Sequence, residues 1–474
     1  MSERTGGANA PPVWDVVVVG GGNAALAAAL TARHLGASVL MLERAPSEMR
    51  GGNTRHTRNV RVAHEVGDAY LTGSYLADEL YADLCGVGSG PGDEHLARLT
   101  VERSVGVAGF MEAHGVHFQQ ALTGTLQLGR TNRFFLGGGK ALLNAYYRAA
   151  ASLGVVVGYD ACVEAFLPEG GGISGVVATV AGRREQIAAR AVVCAAGGFE
   201  ANLEWLEQSF GAAAKNYIVR GAHYNDGTVL QGLYDLGAAS AGEERGMHAV
   251  AVDARSPRFD GGIATRLDSI PFGIVVNCHA VRFYDEGEDL WPKRYAIWGT
   301  NIALQDDQIA FSLWDAQTDR EFLPPMYPAT RAGSIGELAV ALGLSPEVLS
   351  TTVRRYNEAV VTGSFDPSGL DDCRTVGLDP PKSHWAQRLE VPPYSGIAMR
   401  PGITFTYRGV AVDEEARVCR VDGERFSNVF AAGEIMSGNI LTSGYLAGFG
   451  LTIGSVWGRI AGRGAAEHAA GARG

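Results

Sequence analysis

The stretch Asp15-Val-Val-Val-Val19-Gly20-Gly-Gly22-Asn-Ala-Ala25 decides the fold of this 474-residue chain. Its first five residues form a short run that is wholly apolar after Asp15, which is typical of a central parallel strand covered on both faces. Asn23 to Leu35 is rich in alanine and leucine and predicts a helix, and Ser38 to Leu42 predicts a second buried strand. Because such crossovers are right-handed, the two strands should be parallel neighbours in a βαβ unit.

Between that strand and that helix lies a G-x-G-x-x-A fingerprint, Gly20 to Ala25. The first glycine permits a tight turn, Gly22 lets the backbone approach a pyrophosphate, and the helix N-terminus attracts the phosphate charge. Glu43 ends the second strand, 21 residues after Gly22, where a carboxylate can bind both ribose hydroxyls of an adenosine. In this context the glycines indicate a dinucleotide site rather than an ordinary turn.

A second apolar strand ending in a glycine turn occurs more than 380 residues later, at Phe430-Ala-Ala-Gly433-Glu434. Small residues there would admit a cofactor, and Glu434 could bind polyol hydroxyls. A helix predicted over Tyr445 to Ala461 would direct N–H groups at the ring carbonyl where a reduced flavin gathers negative charge. A nicotinamide enzyme has no need of this segment, so it favours a flavin; an ordinary strand–turn–helix is the alternative.

A third feature is a basic run without acids, Arg50-Gly-Gly-Asn-Thr-Arg-His-Thr-Arg-Asn-Val-Arg61. A solvated basic face is the ordinary explanation of such a run. The functional interpretation is that Gly51 to Thr54 pass the flavin edge while the basic side chains attract an anionic substrate. The basic side chains in question are Arg55, His56, Arg58 and Arg61.

Composition excludes several classes of protein. A net charge of −11 argues against nucleic-acid binding, and the six cysteines have no C-x-x-C spacing that would indicate zinc, an iron–sulfur cluster or a disulfide framework. No metal site is predicted. The polar start lacks a secretory signal, and the longest apolar stretch is broken at Gly20–Asn23, so we expect a soluble cytoplasmic protein.

The order of elements predicts an α/β fold: a Rossmann-like FAD-binding domain of the glutathione-reductase type with an inserted α+β capping domain. A helix is predicted at Gly138–Leu153, then a strand at Val155–Tyr159, an antiparallel meander and a buried strand at Ala191–Ala195. Ser334 and Ser345-Pro346 begin two helices of the middle region. The predicted divisions are a flexible tail at 1–12, the FAD-binding domain at 13–220 and 385–474, and the capping domain at 221–384.

Together these segments resemble the fumarate reductase/succinate dehydrogenase flavoprotein superfamily, and within it the FAD-dependent tricarballylate dehydrogenases. The resemblance spans residues 13 to about 465. It is carried by Val19–Ala25, Glu43–Ala45, Arg50–Arg58, Arg282–Gly287, Gly402–Thr406, Gly433–Glu434 and Gly444–Gly448.

The resemblance implies oxidation of a CH–CH bond of a polycarboxylate, namely tricarballylate to cis-aconitate, with a proton going to a base and a hydride to flavin N5. The alternative is the same fold acting on another carboxylate, a ketone or a biosynthetic intermediate. It further implies a membrane-associated iron–sulfur protein as electron acceptor, through which the chain would reach the inner membrane. The FAD-binding residues that it implies are Gly20, Gly22, Asn23, Ala24, Ala25, Glu43, Arg44, Gly51, Gly52, Asn53, Thr54, Val163, Ala196, Gly197, Gly198, Gly227, Gly433, Glu434, Gly448, Gly450 and Leu451.

For catalysis the resemblance points to the arginine after the Arg282–Glu286 segment, which here is Arg294; a structural ion pair with Asp285, Glu286 or Asp289 is the alternative. Fumarate reductases have a histidine before a G-G-V turn and an arginine near the C-terminus, where this chain has Thr404–Tyr407 and Tyr445. Ordinary fumarate reduction is therefore not expected, and the tyrosines are either substrate-binding or core aromatics. The predicted catalytic and substrate-binding set is Arg58, Arg294, Thr406, Tyr407, Arg408 and Tyr445.

Overall fold

The βαβ unit at the start of the chain is confirmed. β1 (Trp14–Val19) is followed by α1 (Asn23–His34), and β2 (Val39–Leu42) pairs with β1 in parallel. The computed structural model describes residues 13–121 and 128–473. The predicted tail, residues 1–12, lies outside this range.

The strands within these two ranges are numbered in chain order. They are β1 Trp14–Val19, β2 Val39–Leu42, β3 Asn59–Arg61, β4 Asn132–Phe134, β5 Val156–Gly158, β6 Ala161–Glu169, β7 Gly172–Val180, β8 Arg183–Cys194, β9 Ile218–Val219, β10 Ser240–Ala241, β11 Met247–Asp253, β12 Ile274–Asn277, β13 Ala310–Trp314, β14 Thr330–Ala332, β15 Val360–Val361, β16 Arg374–Thr375, β17 Tyr394–Thr406, β18 Gly409–Val410, β19 Arg417–Cys419 and β20 Arg425–Ala431. The α-helices are α1 Asn23–His34, α2 Ala77–Gly86, α3 Glu94–Ser104, α4 Val107–Ala113, α5 Gly138–Ser152, α6 Leu203–Phe210, α7 Thr228–Asp235, α8 Trp291–Arg294, α9 Trp298–Ala303, α10 Ile335–Leu342, α11 Pro346–Ala359 and α12 Phe449–Gly471.

The first sheet has the strand order β19-β20-β8-β1-β2-β5. All neighbours along it are parallel except β19 and β20. The carboxyl ends of parallel strands share one edge of a sheet, and ligands bind at that edge in such folds. The loops that follow β1, β2, β8 and β20 therefore meet, although the first and last are some 400 residues apart in sequence.

β8 belongs to two substructures. Its first half pairs antiparallel with β7, which pairs with β6, so the predicted meander is confirmed. Its second half pairs with β1 and β20 in the parallel sheet. Two runs that the sequence separates, 185–189 and 191–195, are thus one continuous strand up to Cys194.

The second sheet is built around β17, which pairs with β11, β13 and β14 antiparallel and with β9 in parallel. α10 and α11 pack on it through Leu338, Leu349 and Tyr356. Both helices begin at the predicted serine caps, Ser334 and Ser345. Strand pairing in this sheet crosses both predicted boundaries of the capping domain, because β9 precedes residue 221 and β17 follows residue 384; the division itself stays a prediction.

The last helix differs from its prediction. α12 begins at Phe449, not at Tyr445, because Gly444 and Gly448 adopt positive φ values (68° and 84°) that turn the chain before the helix can start. It packs closely on α1, since a Cβ at Gly458 or Gly462 would overlap the carbonyl oxygens of Ala24 and Ala28. This contact brings the two ends of the chain together at the carboxyl edge of the first sheet.

Candidate active site

A long cavity runs from the carboxyl edge of the first sheet to the second sheet. Except for Ala25, every residue of the predicted FAD-binding set contributes to its lining. Ala25 is fully buried beside the cavity, where a small residue lets α1 approach β1. The structure therefore places together segments that the sequence leaves far apart.

One end of the cavity is formed by the glycine loop. Gly20 has a φ of 112°, and a Cβ there would overlap the Ala195 carbonyl, so only glycine fits this turn. α1 begins at Asn23 without an acidic residue in its first turn, so no side-chain carboxylate of that turn competes with a phosphate for the positive end of the helix dipole. The Asn23 N–H donates to the Thr54 hydroxyl (3.0 Å), which ties the 51–54 loop to this helix end.

Glu43 lies at the end of β2 and is buried. Its carboxylate accepts hydrogen bonds from the N–H groups of Ala45 (2.9 Å) and Gly51 (3.1 Å), while burial raises its pKa. The neighbouring Arg44 forms an ion pair with Asp226, whose pKa falls below the usual range because burial is outweighed by its bonds to Arg44 and Thr228. Together these groups form a polar pocket suited to an adenosine ribose.

The second segment reaches the same cavity from the other side. Gly433 follows β20 with a φ of 80°, and a Cβ there would lie 2.7 Å from the Ala24 side chain. The side-chain nitrogen Nδ2 of Asn23 donates to the Leu451 carbonyl (3.0 Å) and the Ser455 hydroxyl (3.0 Å), and these bonds join the starts of α1 and α12. The glycine-lined space between these helix ends has the chemistry that a dinucleotide such as FAD needs.

The far end of the cavity is strongly cationic. Arg58, Arg220 and Arg266 line it, and among the described residues only Arg266 has an acidic partner, Asp268, at 2.6 Å. Arg220 donates to the Thr404 hydroxyl from Nε (3.0 Å) and Nη2 (2.7 Å), whereas its Nη1 is buried without a partner in that part of the chain.

The pKa values of these arginines report their crowding. Burial and the charge of Arg266 lower the pKa of Arg58 to about 10. Burial, with Arg266 again contributing, lowers the pKa of Arg220 to about 10. Arg266 differs because Asp268 outweighs its burial and raises its pKa. An anion placed among these guanidinium groups would relieve the repulsion, so the arrangement fits a carboxylate ligand.

Three aromatic side chains complete this end. The Tyr295 hydroxyl lies 3.1 Å from His248 Nε2, and the His248 and Tyr445 rings have centroids 4.0 Å apart. Burial and the charges of Arg220 and Arg266 lower the pKa of His248 well below its usual value, so this imidazole is neutral near pH 7. Arg266 lies over the Tyr295 ring at 4.8 Å.

The structure separates the residues predicted for catalysis. Arg58 and Tyr445 line the cavity, but Arg294, Thr406, Tyr407 and Arg408 do not.

Each of the four has another contact. Arg294 forms an ion pair with Glu288 (3.2 Å), which is not one of the three acids of the predicted alternative, and Arg408 pairs with Glu244 (3.3 Å). Tyr407 is a fully buried aromatic whose hydroxyl donates to the Gly444 carbonyl, and the Thr406 hydroxyl accepts from the Phe199 N–H. These contacts do not favour a direct role in binding substrate for any of the four.

The basic run is likewise divided. His56 and Arg58 face the cavity, and His56 Nε2 lies 3.0 Å from Asp260. Arg61 is buried elsewhere, donating to the Ala447 carbonyl (3.0 Å) and the Tyr75 hydroxyl (2.9 Å), and Arg55 does not line the cavity. The expectation that all four basic residues attract substrate is therefore wrong for Arg61, which holds β3 against the loop before α12.

Sequence reasoning missed Arg220, His248, Arg266 and Tyr295. One usable signal existed: His248 is a lone polar residue in the otherwise apolar run 247–252 of β11. Arg220 and Arg266 carry no local motif, because they meet only through the pairing of β9 and β11 with β17.

The fold and the cavity define a flavoprotein of the dinucleotide-binding α/β class. The family model described as "FAD binding domain" matches residues 15–451, so the chain belongs to this family, within the fumarate reductase/succinate dehydrogenase flavoprotein superfamily, and its cofactor is FAD. The predicted fold class and cofactor are thereby confirmed.

Curated relatives resemble nearly the whole chain. It is 28% identical over 488 residues to the NADH:fumarate oxidoreductase of Klebsiella pneumoniae (strain 342), covering 99% of this chain but 49% of that protein, so it spans about half that relative's length. It is 26% identical over 556 residues to the 4-oxocyclohexanecarboxylate 2-dehydrogenase of Sinomonas cyclohexanicum, covering 97% of this chain and 94% of that protein.

Solved structures share the fold. A 3-ketosteroid Δ4-(5α)-dehydrogenase of Rhodococcus jostii RHA1 matches with a TM-score of 0.74 and 23% identity over 97% of this chain and 98% of that one. The open form of a flavocytochrome c3 fumarate reductase also gives a TM-score of 0.74, with 22% identity over 98% of this chain and 80% of that one. Among the helices of residues 13–121 and 128–473, none has the length and apolar character needed to cross a bilayer.

Proposed function

We propose that the chain is an FAD-dependent oxidoreductase that oxidises a CH–CH bond of a polycarboxylate, with tricarballylate to cis-aconitate as its reaction. The observation that carries this proposal is the cationic end of the cavity. Arg58, Arg220 and Arg266 meet there, and within residues 13–121 and 128–473 their single acidic partner is Asp268. Guanidinium groups bind carboxylates through paired, charge-assisted hydrogen bonds, so a substrate with several carboxylates matches this site.

Binding and orientation are the work of the arginines. Arg58 and Arg220, which lack acidic partners among the described residues, would each hold a substrate carboxylate. By stabilising negative charge beside the reacting carbon, they make its proton easier to remove. FAD, when bound, supplies the acceptor for the hydride that leaves the neighbouring carbon.

Tyr295 is the proton acceptor that best fits the geometry. Its hydroxyl lies in the cavity 3.1 Å from His248 Nε2. A bound substrate carboxylate would offset the charges of Arg220 and Arg266, which lower the pKa of this imidazole. Oη can then take the proton from carbon as its own proton passes to Nε2. Burial raises the pKa of Tyr295, and the charges of Arg266, Arg220 and Arg58 act against that rise. Arg294, the residue that the sequence points to, lies outside the cavity lining.

A second candidate is the desaturation of a ring ketone. The hydroxyls of Tyr295 and Tyr445 lie in the same cavity and could polarise a ketone oxygen. Two curated relatives have names of this kind, a 4-oxocyclohexanecarboxylate 2-dehydrogenase and a 3-oxosteroid 1-dehydrogenase of Mycobacterium tuberculosis. The arginines favour acids over uncharged ketones, and a keto acid would use both groups.

Anaerobic bleaching of the flavin tests the proposal. FAD-loaded protein is mixed with tricarballylate, succinate, 4-oxocyclohexanecarboxylate or a 3-oxosteroid, and the flavin absorbance is followed. We expect bleaching by tricarballylate. Bleaching by the uncharged steroid alone would contradict the carboxylate proposal, and bleaching by 4-oxocyclohexanecarboxylate alone would favour the second candidate.

The electron acceptor and location are also proposals. We infer a separate membrane-associated iron–sulfur protein as acceptor of the electrons, with the chain itself in the cytoplasm. Reoxidation of substrate-reduced protein by a membrane fraction, compared with a soluble fraction, would test this partner.

A further inference from the structure

Two glutamates from different strand ends meet beside the cofactor cavity. Glu200 lies beyond the end of β8 and has no exposed surface, and Glu434 follows β20 and lines the cavity. One amide nitrogen, Asn53 Nδ2, lies within hydrogen-bond distance of both carboxyl groups, and Glu200 Oε2 is buried without a partner among the described residues. Gly198 shows how close they are, since a Cβ there would overlap Glu434 Oε1 and lie 3.0 Å from Glu200 Oε2.

Every hydrogen-bond partner of this pair in the part of the chain that the structure describes is neutral. Asn53 Nδ2 donates to Glu200 Oε1 (2.8 Å) and Glu434 Oε2 (3.1 Å), and Asn225 Nδ2 donates to Glu200 Oε1 (2.8 Å). The Thr406 N–H donates to Glu434 Oε1 (3.3 Å).

No cation in the described residues contacts either carboxyl group. A cationic residue of the neighbouring segment, Arg220, follows β9. Its guanidinium donates to the Thr404 hydroxyl and forms no ion pair with Glu200 or Glu434.

These contacts set the number of protons on the pair. Two carboxylates without a cation would repel strongly in this enclosed place, and the buried Glu200 Oε2 would be left without a partner. With one proton, one carboxyl donates to the other, and the amides of Asn53 and Asn225 satisfy the remaining charge. Burial raises the pKa of Glu434, the charge of Glu200 raises it further, and burial raises the pKa of Glu200.

We propose that Glu200 and Glu434 share one proton at neutral pH, and that the protonated partner is Glu434, which faces the FAD cavity. Glu434 then positions the cofactor as a neutral acid. The pair carries one negative charge instead of two beside a cofactor that gains negative charge on reduction. This inference does not depend on the identity of the substrate. The shared proton can be absent while the proposed function holds, and the proposed function can be wrong while the shared proton is present.

Infrared difference spectroscopy of FAD-loaded protein tests the proton directly. Subtracting the Glu434→Gln spectrum from that of the wild type at neutral pH should leave a carboxylic-acid C=O band that shifts in D2O, with no net carboxylate band. The control Glu467→Gln changes an exposed residue of α12 and should remove a carboxylate band only. A lost carboxylate band and no acid band in Glu434→Gln would overturn the proposal.

Thermal unfolding provides a second readout. If the pKa of the Glu434 carboxyl is raised in the folded protein, the neutral acid adds to the free energy of unfolding. This contribution is complete below the pKa of an unfolded glutamate, about 4.3, and is lost as the pH rises through the folded pKa. Glutamine resembles the neutral acid but does not titrate. The melting temperature of Glu434→Gln, relative to that of the wild type, should therefore rise as the pH is raised from acidic to neutral. Flavin content is measured in parallel. The melting temperature of the control Glu467→Gln should differ from that of the wild type by the same amount at every pH. If the difference for Glu434→Gln is also independent of pH, the shared proton is contradicted.

Discussion

At the scale of single residues, Arg220 is the clearest test of the substrate class. It is buried, has one nitrogen without a partner among the described residues, and contacts no acid there. A charge-assisted hydrogen bond contributes about 1.5–3 kcal/mol, so Arg220→Gln should raise the KM for tricarballylate roughly 10- to 100-fold, and Arg220→Lys should recover part of the loss. Steady-state kinetics with Arg354→Gln, an exposed change on α11, as control would measure this. An unchanged KM in Arg220→Gln would show that substrate binds elsewhere.

Tyr295 and Arg294 are neighbours in sequence but differ in access to the cavity, which makes them a matched pair. Removing a general base lowers the rate by about 10²- to 10⁴-fold, so Tyr295→Phe should lower kcat by that factor while flavin content stays unchanged. Arg294→Gln should retain most of the activity because its partner is Glu288. Pre-steady-state flavin reduction would separate the two variants. The opposite ranking would restore Arg294 to the role that the sequence indicates.

At the scale of elements, the packing of α1 on α12 should control cofactor binding. The Cα of Gly458 lies against the Ala24 backbone, so Gly458→Leu must push the two helices apart. Overpacking of this kind costs typically 1–3 kcal/mol, and we expect a lower melting temperature together with weaker FAD binding. Gly336→Ala in α10 is the control, because a Cβ there meets open space. Equal FAD affinity in the Gly458→Leu protein would mean that the helix junction does not shape the site.

The helices and strands themselves were largely predictable, since local sequence is enough to indicate a buried parallel strand and a glycine turn. The cofactor end of the cavity could be predicted from these elements, because Gly20 and Gly433 each follow an apolar strand. The substrate end of the cavity could not be predicted in this way. Arg220 and Arg266 come together only after β9 and β11 pair with β17, and local sequence does not encode that register. Likewise, nothing in the chain near Tyr407 and Tyr445 tells which of them faces a cavity.

At the scale of the whole molecule, the cavity has walls from both sheets, and its two ends have different chemistry. Glu43 and the glycine loop form the adenosine end, while the arginines, His248 and Tyr295 form the other. A ligand that fills only one end leaves the remaining wall without contacts. Intact FAD should therefore stabilise the protein more than its flavin part or its adenosine part alone.

Removal and replacement of the cofactor tests this coupling. Apoprotein should melt at a lower temperature than the FAD-loaded protein, because a ligand at 100 times its Kd adds about 2.7 kcal/mol of stability. FAD should restore the original melting temperature, whereas FMN, which lacks the adenosine that Glu43 would hold, should restore only part of it. Glu43→Gln should narrow the gap between FAD and FMN, and Glu48→Gln, an exposed change nearby, should leave it as it was. Full restoration by FMN would show that the pocket around Glu43 does not bind the cofactor.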